Sequence, residues 1–479
     1  MNSTSNTIAW WQVTPNILWT DWLLYILLIA ISIFIFYARQ HEHLRAPWRQ
    51  ILRRRLAMSS CIILLTFATI GVLDSVHFRQ AVDIRDDGSL RYSNEAVSLF
   101  DQLVLPLKIN VEKTYSSPFA THLYAKENIE AADGTVRRDY PRLKYGGAHL
   151  TEFNLDRGQD IQARIITATQ HAVLAITLLI LILAIWQSIR KKQKLVCTLL
   201  RMWRGECDDV PWKTIIGTLG IIILLICLSR QFATVYHIFG TDKVGQDVFY
   251  LTLKSIRTGL VIGTLTTLIM LPFAIMLGIM AGYFRGWIDD LIQYIYTTLS
   301  SIPSVLLIVA AVLMIQVLID NNPDAFTTLQ QRADIKLLAL CFILGITSWT
   351  GLCRLLRGES LKLREADYIQ AAQAFGVSNF KIITRHILPN VMHIVLILVV
   401  LDFSGLVLAE AVLSYVGVGV DPSMISWGNM INGARLEMAR EPIVWWSLMA
   451  AFIFMLLLVL TANLFADAVR DAFDPRLRN

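Results

Sequence analysis

Two carboxylates, Asp402 and Glu410, stand inside the apolar run Val391 to Val416. An ionisable side chain at membrane depth is costly and faces either a bundle interior or a water-filled path. Their spacing puts them about 80° apart around a helix axis, so both could be offered to a passing solute. Two readings stay open: a translocation path, or hydrogen bonding between helices and to another subunit. Other chemistry finds little footing. No Gly-x-x-x-x-Gly-Lys-Ser/Thr loop exists to cradle nucleotide phosphates, and Gly240-Thr241-Asp242-Lys243 lacks the spacing. There is no Gly-x-Ser-x-Gly elbow and no carboxylate pair in a soluble pocket, so no catalytic group and no enzyme is expected. The nine histidines form no ligand pattern. His41-x-His43, in a basic loop, reads as solvated, and no metal site is expected.

A second kind of chemistry, docking, is written in three strings: Arg354-Leu355-Leu356-Arg357-Gly358, Tyr368-Ile369-Gln370-Ala371-Ala372-Gln373-Ala374-Phe375-Gly376 and Arg385-His386-Ile387-Leu388-Pro389-Asn390. Glu359 to Phe375 is rich in helix formers. Ala371 and Ala372 make that helix thin, Gly376 permits a backbone reversal, and Pro389 suits the first turn of a following helix. A thin helix flanked by Arg354, Arg357 and Arg385 suits a groove on a soluble partner.

The elements that must hold these residues are set by composition. Of 479 residues 55% are hydrophobic, and the mean hydropathy is +0.53. The apolar residues gather in runs long enough to cross about 30 Å of hydrocarbon. Nine spans are predicted, near Trp22 to Ala38, Leu56 to Leu73, Ala172 to Ile189, Ile215 to Leu228, Leu260 to Tyr283, Leu291 to Ile319, Leu337 to Leu352, Val391 to Val416 and Val444 to Phe465. The first has no basic segment before it and no small-residue cleavage site after it, so it is expected to stay in the membrane. Positive residues are retained in the cytoplasm. Arg39, Arg45, Arg49, Arg53, Arg54 and Arg55 after the first span, and Arg190, Lys191, Lys192, Lys194, Arg201 and Arg204 after the third, therefore mark cytoplasmic links. The N-terminus is then periplasmic and the tail Asp467 to Asn479 cytoplasmic. These clusters account for the net charge of +6 and would attract anionic headgroups of the bilayer; nucleic acid is not an expected partner. Cys61, Cys197, Cys207, Cys227, Cys341 and Cys353 all fall in spans or cytoplasmic links, so free thiols are expected.

The domains read as 1–73, two spans with a basic link; 74–170, a small periplasmic domain; 171–229, two more spans with a basic link, the second opening a six-span core; and 230–479, the rest of that core, with cytoplasmic helices at 359–390. Turn signals at Asp87-Gly88, Asp133-Gly134 and Gly146-Gly147 divide the 74–170 stretch, and Ser98 to Leu105 reads as its one helix. Its role is either a spacer or a binding surface. Spans one to three carry no intramembrane charge and no glycine-rich crossing face beyond Gly71, so they are expected to pack peripherally.

Together the docking strings resemble the integral-membrane subunits of ATP-binding-cassette importers, whose signature is Glu-Ala-Ala, three residues, Gly, then nine residues to Ile-x-Leu-Pro. Ala371, Ala372, Gly376, Leu388 and Pro389 match; Gln370 replaces the glutamate and His386 the isoleucine. The ending Arg385 to Asn390 is similar to the dipeptide and oligopeptide branch, also called the peptide/nickel branch. Three further segments resemble it. They are His237-Ile238-Phe239-Gly240-Thr241-Asp242 with Gly245-Gln246-Asp247-Val248, where Ile238, Phe239 and Gln246 depart from the pattern; Ala281 to Trp287 with Ser301-Ile302-Pro303-Ser304; and Glu410 to Gly417 with Trp427-Gly428. The resemblance runs from Gln231 to the C-terminus and leaves the N-terminal region as an addition.

What the resemblance implies is an all-α inner-membrane permease, packed against a second homologous permease, two ATPases that bind the ATP and Mg, and a periplasmic binding protein that delivers a peptide. Gln370, Ala371, Ala372, Gly376, Leu388 and Pro389 would couple to the ATPases; Gly240, Thr241, Asp242, Gly245 and Asp247 would form a periplasmic docking string. The same architecture could import nickel chelates or another small solute. A proton-coupled peptide carrier working alone, with Asp402 and Glu410 as relay, is the alternative of another class, and it leaves the docking strings without a purpose.

Overall fold

The computed structural model describes residues 13–40, 42–84, 90–93, 96–130, 136–150, 155–192, 194, 196, 210–322 and 328–473. His41, the turn signals Asp87-Gly88 and Asp133-Gly134, Cys197, Cys207, Arg201, Arg204 and the tail beyond residue 473 lie outside the described residues.

Long apolar runs become helices because in lipid a helix satisfies its own backbone. In chain order the helices are α1 (Trp19–Gln40), α2 (Glu42–Arg53), α3 (Arg55–Ser75), α4 (Leu99–Leu103), α5 (Leu105–Ile109), α6 (Leu155–Lys191), α7 (Trp212–Ala233), α8 (Val248–Phe284), α9 (Trp287–Ser301), α10 (Ser304–Asp320), α11 (Leu329–Ser348), α12 (Thr350–Arg364), α13 (Asp367–Ala374), α14 (Asn379–Ile382), α15 (Leu388–Tyr415), α16 (Trp427–Glu437) and α17 (Trp446–Phe473). Among the described residues eight helices are long and apolar enough to cross a membrane, and the chain is an all-α polytopic membrane protein.

The predicted span Leu291 to Ile319 is broken. α9 and α10 meet at 86°, because Pro303 has no N–H to donate and holds Ile302 in extended backbone. The predicted helix Glu359 to Phe375 is also two pieces: Ala366, extended at φ −71° and ψ 138°, separates α12 from α13 and turns Ile369 underneath, where it is buried.

α8 is the axis of the bundle, packed by α3, α11, α12, α15 and α17. This corrects the expected periphery. The second span, α3, lies inside, against α8 and α17. Gly71 permits the approach, since a Cβ there would sit 2.7 Å from Leu260 Cδ1. α7, expected to open the six-span core, instead packs mainly on α6 and α3, so α3 holds the place that α7 was expected to take. The first and third spans, α1 and α6, stay largely exposed as predicted, and α6 is paired with α7.

A buried charge seam joins the cap-side ends of the first two spans to α8, with Asp21 and Asp74 standing just outside the apolar runs Trp22 to Ala38 and Leu56 to Leu73. Arg257 Nη2 donates to Asp21 Oδ1 at 2.6 Å and to Thr20 Oγ1 at 3.0 Å, while the Thr20 side chain also bonds Asp334 on α11. One turn earlier Lys254 Nζ reaches Asp101 Oδ1 at 2.5 Å and Asp74 Oδ1 at 3.1 Å. Sequence reading missed the seam because Asp21 falls just before the apolar run counted as the first span.

Residues between α3 and α6 form a cap at the end of the bundle where α8 begins. β2 (His77–Ile84) pairs antiparallel with β1 (Val13–Pro15) through Thr14↔Arg79, and with β3 (Leu90–Tyr92) through Ala81↔Tyr92. β4 (Val97–Ser98) also pairs with β2, and β5 (Glu127–Glu130) with β6 (Val136–Asp139) makes a separate hairpin. The predicted helix Ser98 to Leu105 is two short ones, α4, with Ser98 and Asp101 in a capping box, and α5, parted at Val104. The cap has little core of its own: Leu107 and Tyr115 join the cluster around Trp427 and Trp446. Its expected boundary at Gln170 falls inside α6, whose first turns stand in the cap.

Candidate functional site

At the end of the bundle opposite the cap, the predicted docking strings come together. α13 ends at Ala374 with Phe375 as its cap, and Gly376 reverses the chain at φ +74°, a conformation glycine adopts without steric cost. Its N–H bonds Gln373 O at 2.9 Å, and the Val377 N–H bonds Ala372 O at 3.1 Å, closing the helix end. α14 follows, then a π-helical turn, Ile383–Ile387, then α15 with Pro389 in its first turn, as predicted. The underside is apolar and fully buried at Ile369, Ile382 and Ile387. The outer side is open: Gln370, Ala371, Gln373, Ala374 and Gly376 are exposed, and Ala372 is half-buried. Phe375 and Phe380 stand beside the reversal 86% and 78% exposed. The strings did not single them out as functional. Two nearly bare phenylalanines flanking a glycine reversal make an apolar, thin-walled knob that a groove of matching shape would cover.

The flanking arginines divide. Arg357 makes a two-pronged bond to Asp289 at 2.6 and 2.7 Å, fixing α12 to α9. Arg354 bonds Ser300 Oγ at 2.9 Å and lies over the Tyr296 ring. Arg354 and Arg385 are exposed, and Arg357 is half-buried. Leu388 is half-buried and Pro389 exposed at the foot of α15.

Asp402 and Glu410 are not brought to one surface. Glu410 is 2% exposed and accepts hydrogen bonds from Ser414 Oγ at 2.8 Å and Ser426 Oγ at 3.1 Å. It ties α15 to the loop before α16, the hydrogen-bonding role left open by its sequence. Asp402 is half-buried.

The string Gly240 to Asp247, expected to present a docking surface, is turned inward. Thr241 and Asp247 are buried. The Thr241 hydroxyl donates to Thr114 O at 2.8 Å and accepts from the Ser116 N–H at 2.7 Å. Gly240 and Gly245, both at positive φ, lie so close to the cap that a Cβ would come 2.3 Å from Ser116 O and 1.8 Å from Glu112 O. Asp247 caps α8 through the Phe249 and Tyr250 N–H groups and bonds His237 Nδ1 at 2.7 Å. The string is thus the seat of the cap. Asp242 is half-buried, folding its turn by accepting from Val244 and Gln246; Lys243, Val244 and Gln246 are the exposed part.

Charge fastens that seat. Burial works against a charged His237, yet its bonds to Asp247 and Glu112 prevail and raise its pKa to about 9. Burial likewise opposes the Glu112 carboxylate, but His237 and the N–H groups of Gly146, Lys144 and Tyr145 hold it at about 2.

Residues 274–479 match the family described as binding-protein-dependent transport system inner membrane component. The chain is 30% identical over 242 residues to the dipeptide transport system permease protein of Bacillus subtilis, covering 50% of this chain and 69% of that protein. It is 32% identical over 243 residues to the oligopeptide transport system permease protein of Mycobacterium tuberculosis, covering 51% and 77%. With the glutathione transport system permease protein of Pectobacterium atrosepticum it shares 31% over 244 residues, covering 51% and 74%.

Proposed function

Because this chain belongs to the family of binding-protein-dependent transport system inner membrane components, we propose that it is one of two permeases of an ATP-driven importer carrying di- and oligopeptides. The observation that carries the reading is the open Gln370 to Phe380 knob on its buried isoleucine underside. Such a knob is the coupling face for an ATPase subunit. In this reading a second, homologous permease completes the path, two ATPases bind the ATP and Mg, and a binding protein delivers cargo at the cap. The chain itself supplies no catalytic group. Arg54 of the first arginine-rich link pairs with Asp471 near the end of α17, at the same end of the bundle as the knob, which agrees with a cytoplasmic knob, a periplasmic cap and an inner-membrane location. Peptide is assigned as cargo from the names of the relatives, and nickel chelates or other small solutes are the competing cargo.

Reconstitution of the chain with its genetic neighbours in proteoliposomes tests the proposal. The expected result is uptake of labelled peptide that requires both ATP and the binding protein. Uptake by the chain alone, driven by a proton gradient, would overturn it, and ATP-driven uptake of nickel chelate without peptide would overturn the cargo.

A further inference from the structure

The last full turn of α8 ends in Tyr283, a side chain 4% exposed whose hydroxyl sits between the two halves of the knob. It donates to Asn379 Oδ1 at 2.8 Å and accepts from Gln373 Nε2 at 3.3 Å. Gln373 belongs to α13 and Asn379 opens α14, so one oxygen holds both sides of the Gly376 reversal. Just above, α8 and α12 nearly touch: a Cβ on Gly278 would lie 2.8 Å from Leu356 Cβ, and one on Gly282 2.5 Å from Ser360 Cβ.

The apolar underside of the knob adheres without direction, since burial of apolar area fixes no angle. Hydrogen bonds do fix direction, weakening steeply off axis. A second polar link between this end of α8 and the coupling segment among the described residues, Arg285 to Glu365, is exposed on both sides, where ion pairs contribute little. Tyr283 is therefore the buried, directional contact between the knob and the helix on which the other core spans pack.

We propose that Tyr283 is a positioning residue for ATP-driven transport, passing displacement of the α13–α14 reversal into α8. Without it the loop would bend and the motion would be lost. The proposal rests on the knob being the ATPase-coupling face.

The test uses the full transporter in proteoliposomes, with peptide uptake and ATP hydrolysis measured separately. Tyr283→Phe keeps the ring and removes the oxygen. The ATPases should still copurify and hydrolyse ATP, while peptide moved per ATP falls roughly three- to tenfold, the loss expected for about one directional hydrogen bond. Adding Asn379→Ala to Tyr283→Phe should lower the ratio no further, because both act through the same oxygen. An unchanged ratio in Tyr283→Phe overturns the proposal, as does an additive loss in the double variant. Loss of copurifying ATPase in Tyr283→Phe would reduce the residue to shaping the docking face and would also overturn it. A wild-type chain that takes up no ATPase at all fails the coupling assignment itself, and this proposal with it.

Discussion

His237, Glu112 and Asp247 give the cap a pH signature whose sign follows from their surroundings. The folded value of about 9 for His237 lies above its ordinary 6.5, so its contribution to seating the cap is complete below pH 6.5 and fades as pH rises through about 9. Glu112, held at about 2 against an ordinary 4.5, contributes above 4.5 and is lost as pH falls through about 2. Limited proteolysis of the detergent-solubilised chain should show the cap loosening between about pH 7 and 9.5, and His237→Gln should flatten that dependence. A cap whose cleavage rate ignores pH in the wild type would count against the charged seat. At the opposite end, Phe375→Ala removes a side chain with almost no intramolecular contact. The melting temperature should stay within about 2 °C, because exposed substitutions cost little, while ATPase copurification falls at least several-fold. Gly376 was legible in the sequence because a helix that must stop before another begins calls for a left-handed residue. Phe375 was not, since an aromatic in an apolar-rich string reads as core until the fold leaves it bare. The Gly240 to Asp247 string misled for the converse reason: Thr241 and Asp247 are polar residues whose partners, Thr114, Ser116 and His237, include two from a segment more than a hundred positions away.

Among the elements, hydropathy placed the spans but not their neighbours, because a helix apolar on every side gives no periodic mark of the face it buries. α3 and α7 look alike by composition, yet α3 is the one that packs on α8. What distinguishes it is where its glycine falls, Gly71 against Leu260 of α8 while Gly217 and Gly220 of α7 meet nothing of α8, and charge at the bundle's end. Arg257 is the sharpest test. Arg257→Met leaves the buried Asp21 carboxylate without its guanidinium and with only His77 as a charged neighbour, and should destabilise the chain by about 3 kcal/mol, read as a fall in melting temperature in detergent. Pairing it with Asp21→Leu should recover most of that loss, since replacing both ions by apolar groups is often near neutral. Equal losses in the single and the double variant would show that the seam is not held by this ion pair. The break between α9 and α10 was legible only in hindsight: Pro303 was visible, but nothing in the local sequence separates a kink within one span from two helices at 86°.

For the molecule as a whole, the described spans divide into a bundle around α8 and a pair, α6 with α7, attached at its side. The ends of that pair meet in the cap. The Gly147 N–H bonds Val235 O at 2.8 Å, and Leu150 packs with Phe232 and Tyr236. Excising residues 152–233 and closing the gap with about four Gly/Ser residues should therefore leave a chain that purifies as a single species and still retains its ATPases. Aggregation, or loss of those subunits, would place the pair within the functional core. The meeting of the two ends has a further consequence, one of parity. A pair of spans crosses the bilayer an even number of times, so everything before Gly147 and after Val235 keeps its compartment whether the pair is present or absent. An ancestral chain could gain or lose these helices in one event without inverting the knob or the cap, whereas a single inserted span would have turned half the molecule inside out.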